Sequence, residues 1–171
     1  EQLYVIKPLK GWDAPIRSRS RLHTNPKRYF ANPSLAASLL QATPSRLLGN
    51  GQLLVLLFES LAIHDLGAYA RAIPGASPEP LRYYRDSDGL EVGAIVELRD
   101  GRWAPIGVRL GDNKVPEALA SLDRLRRKVA ASPAACTPKP AFSAVVVGAG
   151  EYARYDSEGD AFIVPLTVLG A

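Results

Sequence analysis

Residues 81–110 run LRYYRDSDGL EVGAIVELRD GRWAPIGVRL. Leu81–Arg85 is rich in residues that favour a pleated, half-buried surface, and Asp86-Ser87-Asp88-Gly89 is a turn sequence. Leu90–Leu98 is a second strand. Asp100-Gly101 is a dipeptide favoured in hairpin turns, and Trp103–Leu110 is the returning strand. Along a strand alternate residues share a face, so Glu91, Gly93, Ile95 and Glu97 are expected to point the same way.

On both sides of this stretch the period changes to a helical one. Upstream, Asn32-Pro33 has the residues preferred at a helix cap and first turn, and Leu35, Leu39 and Leu40 follow as one apolar stripe. Pro44 opens a second short helix that Gly49-Asn50-Gly51 ends. Residues 52–73 form the longest helical segment, apolar nearly all round at its start, which predicts a buried helix. Pro74-Gly75 and Pro78–Pro80 bracket a loop. Downstream, residues 116–130 repeat Leu119, Leu122, Leu125 and Val129 at helical spacing. That segment ends in Arg124, Arg126, Arg127 and Lys128, which suit the negative end of a helix dipole and a solvated face. Ser132–Pro140 is a Pro-rich linker, Phe142–Val147 a strongly apolar strand and Phe162–Val164 a last short one. This order predicts the α/β class, with a mixed β-sheet flanked by helices.

The first 24 residues read differently. LYVIKPLKGW and IRSRSRL each alternate, with Gly11, Asp13 and Pro15 marking a turn between them, so a β-hairpin is expected. Arg17, Arg19 and Arg21 lie on one side of its second strand. Residues 1–30 hold seven basic and two acidic residues, whereas residues 31–171 hold fourteen and fifteen. All of the net charge of +4 is therefore near the N-terminus. That asymmetry suits either a phosphate backbone or a solvated basic edge. Two domains are expected: a hairpin remnant at 1–24 and an α/β domain at 25–171.

With 47% hydrophobic and 22% charged residues, the 171-residue chain has the composition of a globular domain. Its single cysteine, Cys136, cannot form an internal disulfide, which favours a reducing, cytoplasmic setting. The longest uninterrupted apolar run is Leu53–Phe58, against roughly 20 residues needed to span a bilayer, so no membrane role is expected. Glu1 is the first residue and no methionine is present, which suggests a piece of a longer protein. No stretch matches the P-loop pattern. Val147-Gly148-Ala149-Gly150 lacks the third glycine and the helix of a dinucleotide fingerprint. His23, His64 and Cys136 do not make a zinc set of usual composition.

Three stretches together carry a resemblance: Pro26–Phe30 (PKRYF), Leu57–Leu61 (LFESL), and YYRDSDGLEVGAIVEL with GRWAPIGVRLG. They resemble the C-terminal domain of unknown function attached to bacterial and archaeal AAA-type ATPases, which is similar in fold to PD-(D/E)XK, or restriction-endonuclease-like, nucleases. Residues 1–24 resemble the wing hairpin of the winged-helix domain that precedes it in that family. The resemblance implies that ATP binds only an upstream domain outside this chain.

It also implies a metal site built from a helix Glu, a strand Asp and a Glu-x-Lys on the next strand. There Mg²⁺, a hard cation, takes oxygen ligands and activates water. Carried over, the helix position is Glu59, the Asp position is Gly93, and the Glu and Lys positions are Gly107 and Arg109. Two carboxylates are thus replaced by glycine. The implied Mg²⁺ site is lost, no cofactor is expected in this chain, and no intact catalytic set remains. A Glu59–Arg109 ion pair is expected where the metal would sit. Glu91, roughly 7 Å along the strand from Gly93, is the one candidate replacement ligand.

Three functional readings follow. The first is a non-catalytic, nuclease-like module that contacts DNA weakly and non-specifically through Arg17, Arg19, Arg21, Lys27 and Arg28, or that packs against upstream ATPase and winged-helix domains. The second is an active Mg²⁺-dependent nuclease that has recruited Glu91 or another carboxylate. The third is a structural or oligomerisation domain with exposed apolar residues such as Leu3, Val5 and Ile6. The sequence leaves the oligomeric state open.

Overall fold

A computed structural model describes residues 5–14 and 25–169. Eight strands and four helices follow in the order β1 (Ile6–Leu9), β2 (Lys27–Phe30), α1 (Pro33–Leu39), α2 (Pro44–Gly49), α3 (Gly51–Ala72), β3 (Ala76–Arg85), β4 (Glu91–Leu98), β5 (Trp103–Arg109), α4 (Val115–Ala130), β6 (Ala144–Val147), β7 (Arg154–Asp156) and β8 (Ala161–Pro165). β1 and β2 make an antiparallel pair. The other strands form one mixed six-stranded sheet in the order β3-β4-β5-β6-β8-β7. β3, β4 and β5 are antiparallel neighbours, β5, β6 and β8 run parallel, and β7 returns antiparallel on β8. The expected mixed sheet flanked by helices is present.

The helices start where the side chains can satisfy their first amides. Asn32 accepts from the Ser34 amide at 3.0 Å, Thr43 from Arg46 at 3.3 Å and Asn50 from Leu53 at 3.1 Å. Gly49-Asn50-Gly51 thus both ends α2 and caps α3. α3 lies on one face of the sheet, where Phe58, Ala62, Ile63, Leu66 and Ala70 meet Tyr83, Ala94, Ile106 and Val146. α4 covers the other face, with Leu122, Leu125 and Val129 against Ile95, Val145 and Ile163. By length and composition α3 is apolar enough to cross a bilayer. Counting uninterrupted apolar residues conceals this, because Glu59, Ser60, His64 and Asp65 break the run.

Three differences from the sequence expectation bear on the site. First, β3 starts at Ala76 and includes Pro78 and Pro80, which were expected in a loop. It is an edge strand, where a missing amide costs no ladder bond, and its pairing with β4 is irregular between Ala76 and Leu81. Second, β4 carries a bulge. Arg82 pairs with Ile95 but Tyr84 pairs with Val92, so Gly93 and Ala94 together oppose Tyr83. The alternation expected from Glu91 to Glu97 is broken there, and Ile95 packs on the α4 side while Ala94 packs on the α3 side.

Third, β1 pairs with β2 across the expected boundary at 24/25, with Ile6 opposite Phe30 and Leu9 opposite Lys27. The expected partner strand, residues 16–22, lies outside the described residues, as do Arg17, Arg19 and Arg21. Just beyond β1, the Lys10 carbonyl accepts from the Tyr83 amide at 3.1 Å, and the Trp12 amide donates to the Tyr83 carbonyl at 2.6 Å. Trp12 is buried against Trp103, with ring centroids 4.9 Å apart.

The basic end of α4 is paired as well as solvated, with Arg124 and Arg127 exposed. Lys128 reaches Asp86 at 2.6 Å and Asp88 at 2.8 Å, Arg126 holds the Gly159 and Asp160 carbonyls, and Arg127 pairs with Asp123 at 2.5 Å. His64 is exposed and hydrogen-bonded to Asp65 at 3.0 Å, and Cys136 is exposed.

Candidate functional site

The bulge and the end of β5 face a cavity of about 240 Å³, walled by β2, α3, β4, β5 and α4. Glu59 enters it from the third turn of α3, half-buried. Gly93 lines its floor at the bulge and Arg109 its end at the last residue of β5. Three of the four expected positions are therefore brought together. Gly107 is not. It faces α4, where an added Cβ would stand 3.1 Å from the Ala118 Cβ and 3.6 Å from Val145. A Cβ at Gly93, by contrast, would meet only Val108, at 3.8 Å.

The charges pair otherwise than expected. Arg109 donates one guanidinium nitrogen to the Val108 carbonyl at 2.8 Å and turns the other toward Glu117 on α4, 3.7 Å away. It makes no ion pair with Glu59. Lys114 also reaches Glu117, at 3.2 Å. Glu91 lines the same cavity as Glu59 and is held from two sides, by the Lys27 ammonium and by the Arg85 guanidinium at 3.5 Å. Lys27 also lies over the Tyr83 ring, 5.2 Å from its centroid. Burial lowers the Lys27 pKa from the ordinary lysine value; Glu59 opposes that shift, while Arg85 and Arg109 add to it. Burial raises the Tyr29 hydroxyl pKa, with Glu59 and Tyr83 in support.

A divalent ion fits this arrangement poorly. No group of three or more metal-ligating side chains gathers among the described residues. Glu91 and Glu117, the carboxylates nearest Glu59 in the lining, are already committed to cations. Mg²⁺ demands near-octahedral oxygen geometry, and the cavity offers one uncommitted carboxylate beside two cations, Lys27 and Arg109. Of the residues expected to contact nucleic acid, Lys27 lines the cavity, and Arg28 is exposed beside an adjoining depression that also contains Glu59 and Tyr29.

Sequence reasoning missed Arg85 and Glu117. Arg85 had a signal: it lies directly opposite Glu91 across the Asp86–Leu90 turn, and opposite charges at paired positions mark a cross-strand pair. Glu117 had none, since its place depends on how α4 crosses the end of β5.

The fold and cavity define a mixed α/β domain with a charged, acid-and-base-lined cleft at the junction of its sheet and helices. The chain belongs to the family described as Domain of unknown function (DUF4143), which matches residues 56–169, more than half of its length. No curated protein and no solved structure gives a significant match.

Proposed function

We propose that this domain is a non-catalytic, nuclease-like module of a protein that also carries an AAA-type ATPase, and that it makes weak, non-specific contact with DNA. The observation that carries the reading is the lining of the cleft. Lys27 and Arg109 face it with Glu59, and glycine stands at position 93, where the nuclease pattern has a metal-binding aspartate. Cations in a cleft without a metal-ligand set favour holding a phosphodiester over cutting it. The resemblance of the PKRYF, LFESL and YYRDSDGLEVGAIVEL stretches supplies the parentage.

The test is a salt titration. Binding to duplex DNA is expected at low ionic strength and to fall steeply as salt rises, with a log–log slope of about −0.9 per phosphate neutralised. Flat salt dependence, or no binding at low salt, rejects the reading. An active nuclease that recruits Glu91 is separated by incubating plasmid with Mg²⁺ or Mn²⁺. Nicking that a chelator abolishes favours the enzyme.

A second reading, an oligomerisation domain, is favoured by one observation. Leu39, Leu48 and Leu56 are 73%, 77% and 59% exposed and lie on α1, α2 and α3, of which the first two pack against the third. Sedimentation with and without DNA discriminates: self-association that DNA does not alter supports this reading.

A further inference from the structure

Glu91, like Glu117, meets a cation at each of its carboxylate oxygens. Its two oxygens are approached by cations from two different strands, Lys27 of β2 and Arg85 of β3, and a third cation, Arg109, lines the same cavity. A carboxylate held in this way presents what a phosphate presents, namely two anionic oxygens to converging N–H donors. We propose that Lys27, Arg85 and Arg109 form a phosphate-binding subsite that the Glu91 carboxylate occupies in the free protein, and that an incoming phosphate group displaces it. The inference deepens the DNA-contact reading and rests on it for the source of the phosphate.

Two features make the exchange feasible. The side chains of Glu91 and Arg85 are 40% and 53% exposed, so the pair is open to solvent and weakly held. Lys27 does not depend on Glu91 for its position, because the Tyr83 ring lies beneath its ammonium and β2 pairs with β1. When Glu91 swings out, three like charges remain near one another. That arrangement is unfavourable without an anion and favourable with one. Glu59 and Glu117 also face the cavity. Glu117 already draws on Arg109 and Lys114, and it limits the subsite to phosphates that approach from the Lys27–Arg85 side.

The strand before the bulge provides a control. Glu79 bridges Lys10 at 2.7 Å and Arg82 at 3.2 Å, outside the cleft. Glu79→Gln changes net charge by the same unit as Glu91→Gln. With the full chain and a fluorescent DNA duplex, Glu91→Gln is expected to bind about tenfold more tightly than wild type, with a salt slope steeper by about 0.9. Glu79→Gln is expected to change affinity by less than about threefold, the size of a screened, sequence-independent charge effect. Arg85→Gln in the Glu91→Gln background should return the affinity to wild type or below. Equal gains from the two glutamine variants overturn the subsite while leaving the DNA reading standing.

Calorimetry with inorganic phosphate separates the two sources. If no variant binds DNA, the DNA reading fails. The subsite still stands if Glu91→Gln takes up free phosphate and Glu79→Gln does not, and it falls if neither does. Arg85→Gln alone keeps the Lys27–Glu91 pair. It supplies a folded variant, expected to lose affinity, should Glu91→Gln melt early.

Discussion

Asp86 is the residue on which most local order converges. Its side chain is fully buried and accepts from the Tyr84 hydroxyl at 2.9 Å, the Asp88 amide at 3.0 Å, the Leu90 amide at 3.1 Å and the Lys128 ammonium at 2.6 Å. Burial alone would raise its pKa. The Lys128, Tyr84 and Leu90 hydrogen bonds outweigh that and hold it below the ordinary aspartate value, and the Lys128 pKa is raised in return by Asp86 and Asp88, against its own desolvation. The pair's contribution to stability is complete above the unfolded aspartate value of about 3.9 and is lost as pH falls through the lower folded value. On the alkaline side the Lys128 part is lost as pH rises through its raised value. Asp86→Ala is expected to cost on the order of 3 kcal/mol, because it leaves the buried Tyr84 hydroxyl and Leu90 amide without their acceptor and leaves Lys128 with Asp88 alone. Urea unfolding at several pH values checks this: the variant should also lose part of the wild type's acid destabilisation.

The two glycines at the expected metal positions divide at the same scale. Gly93→Asp has room and should cost less than about 1.5 kcal/mol, whereas Gly107→Glu drives a carboxylate into the packed α4 interface and should cost more than about 3 kcal/mol. Thermal melts of both variants decide it. A Mn²⁺-dependent rise in melting temperature is expected only for Gly93→Asp, where a second free carboxylate would join Glu59. The sequence pattern aligned both glycines with one site. It had no access to which sheet face each occupies.

Elements were legible where they carry their own punctuation. α1, α2 and α3 begin at Asn32, Thr43 and Asn50, residues whose short polar side chains cap them, and α4 is recognisable from its leucine spacing alone. β7 was not legible: three residues, Arg154-Tyr155-Asp156, become a strand only because β8 lies beside them. The first half of β3 was hidden by prolines that an edge strand tolerates. The hairpin at Asp100-Gly101 was placed correctly. It closes as a longer loop, with the Leu98 amide donating to the Arg102 carbonyl and Gly101 at a φ of +83°, a conformation glycine adopts without strain. Within α3, Gly67 is buried in mid-helix with helical geometry, and an added methyl would meet only Arg71 at 3.5 Å and Leu81 at 3.8 Å. Gly67→Ala should therefore stabilise the protein by about 0.5–1 kcal/mol through the unfolded chain and helix propensity, read as a shift of the denaturation midpoint at constant slope.

At the scale of the whole molecule, the cleft was the least legible feature, because it is assembled from five elements spread between Lys27 and Glu117. The N-terminal segment posed the same difficulty. Its basic, alternating sequence reads as a hairpin that leans on the rest of the chain or belongs to an upstream domain, and Leu9, Trp12 and Ala14 are its buried residues. Trp12 stacks on Trp103, meets Tyr84 edge-on with centroids 6.4 Å apart, and joins the cluster that α4 covers. Residues 9–14 thus complete the core rather than adorn it.

Trp12→Ala is expected to destabilise the entire domain by about 3–5 kcal/mol, since it opens a cavity between two aromatic side chains. Trp12→Phe is the sharper comparison. The indole Nε1 is buried with no hydrogen-bond partner among the described residues, so losing it sacrifices no bond, and the cost should stay well below that of alanine. Chemical denaturation followed by circular dichroism, which reports the whole sheet, distinguishes the two architectures. A separable hairpin would leave the midpoint of the remaining domain unchanged in Trp12→Ala. An integral one moves the single transition of the sheet and its helices together.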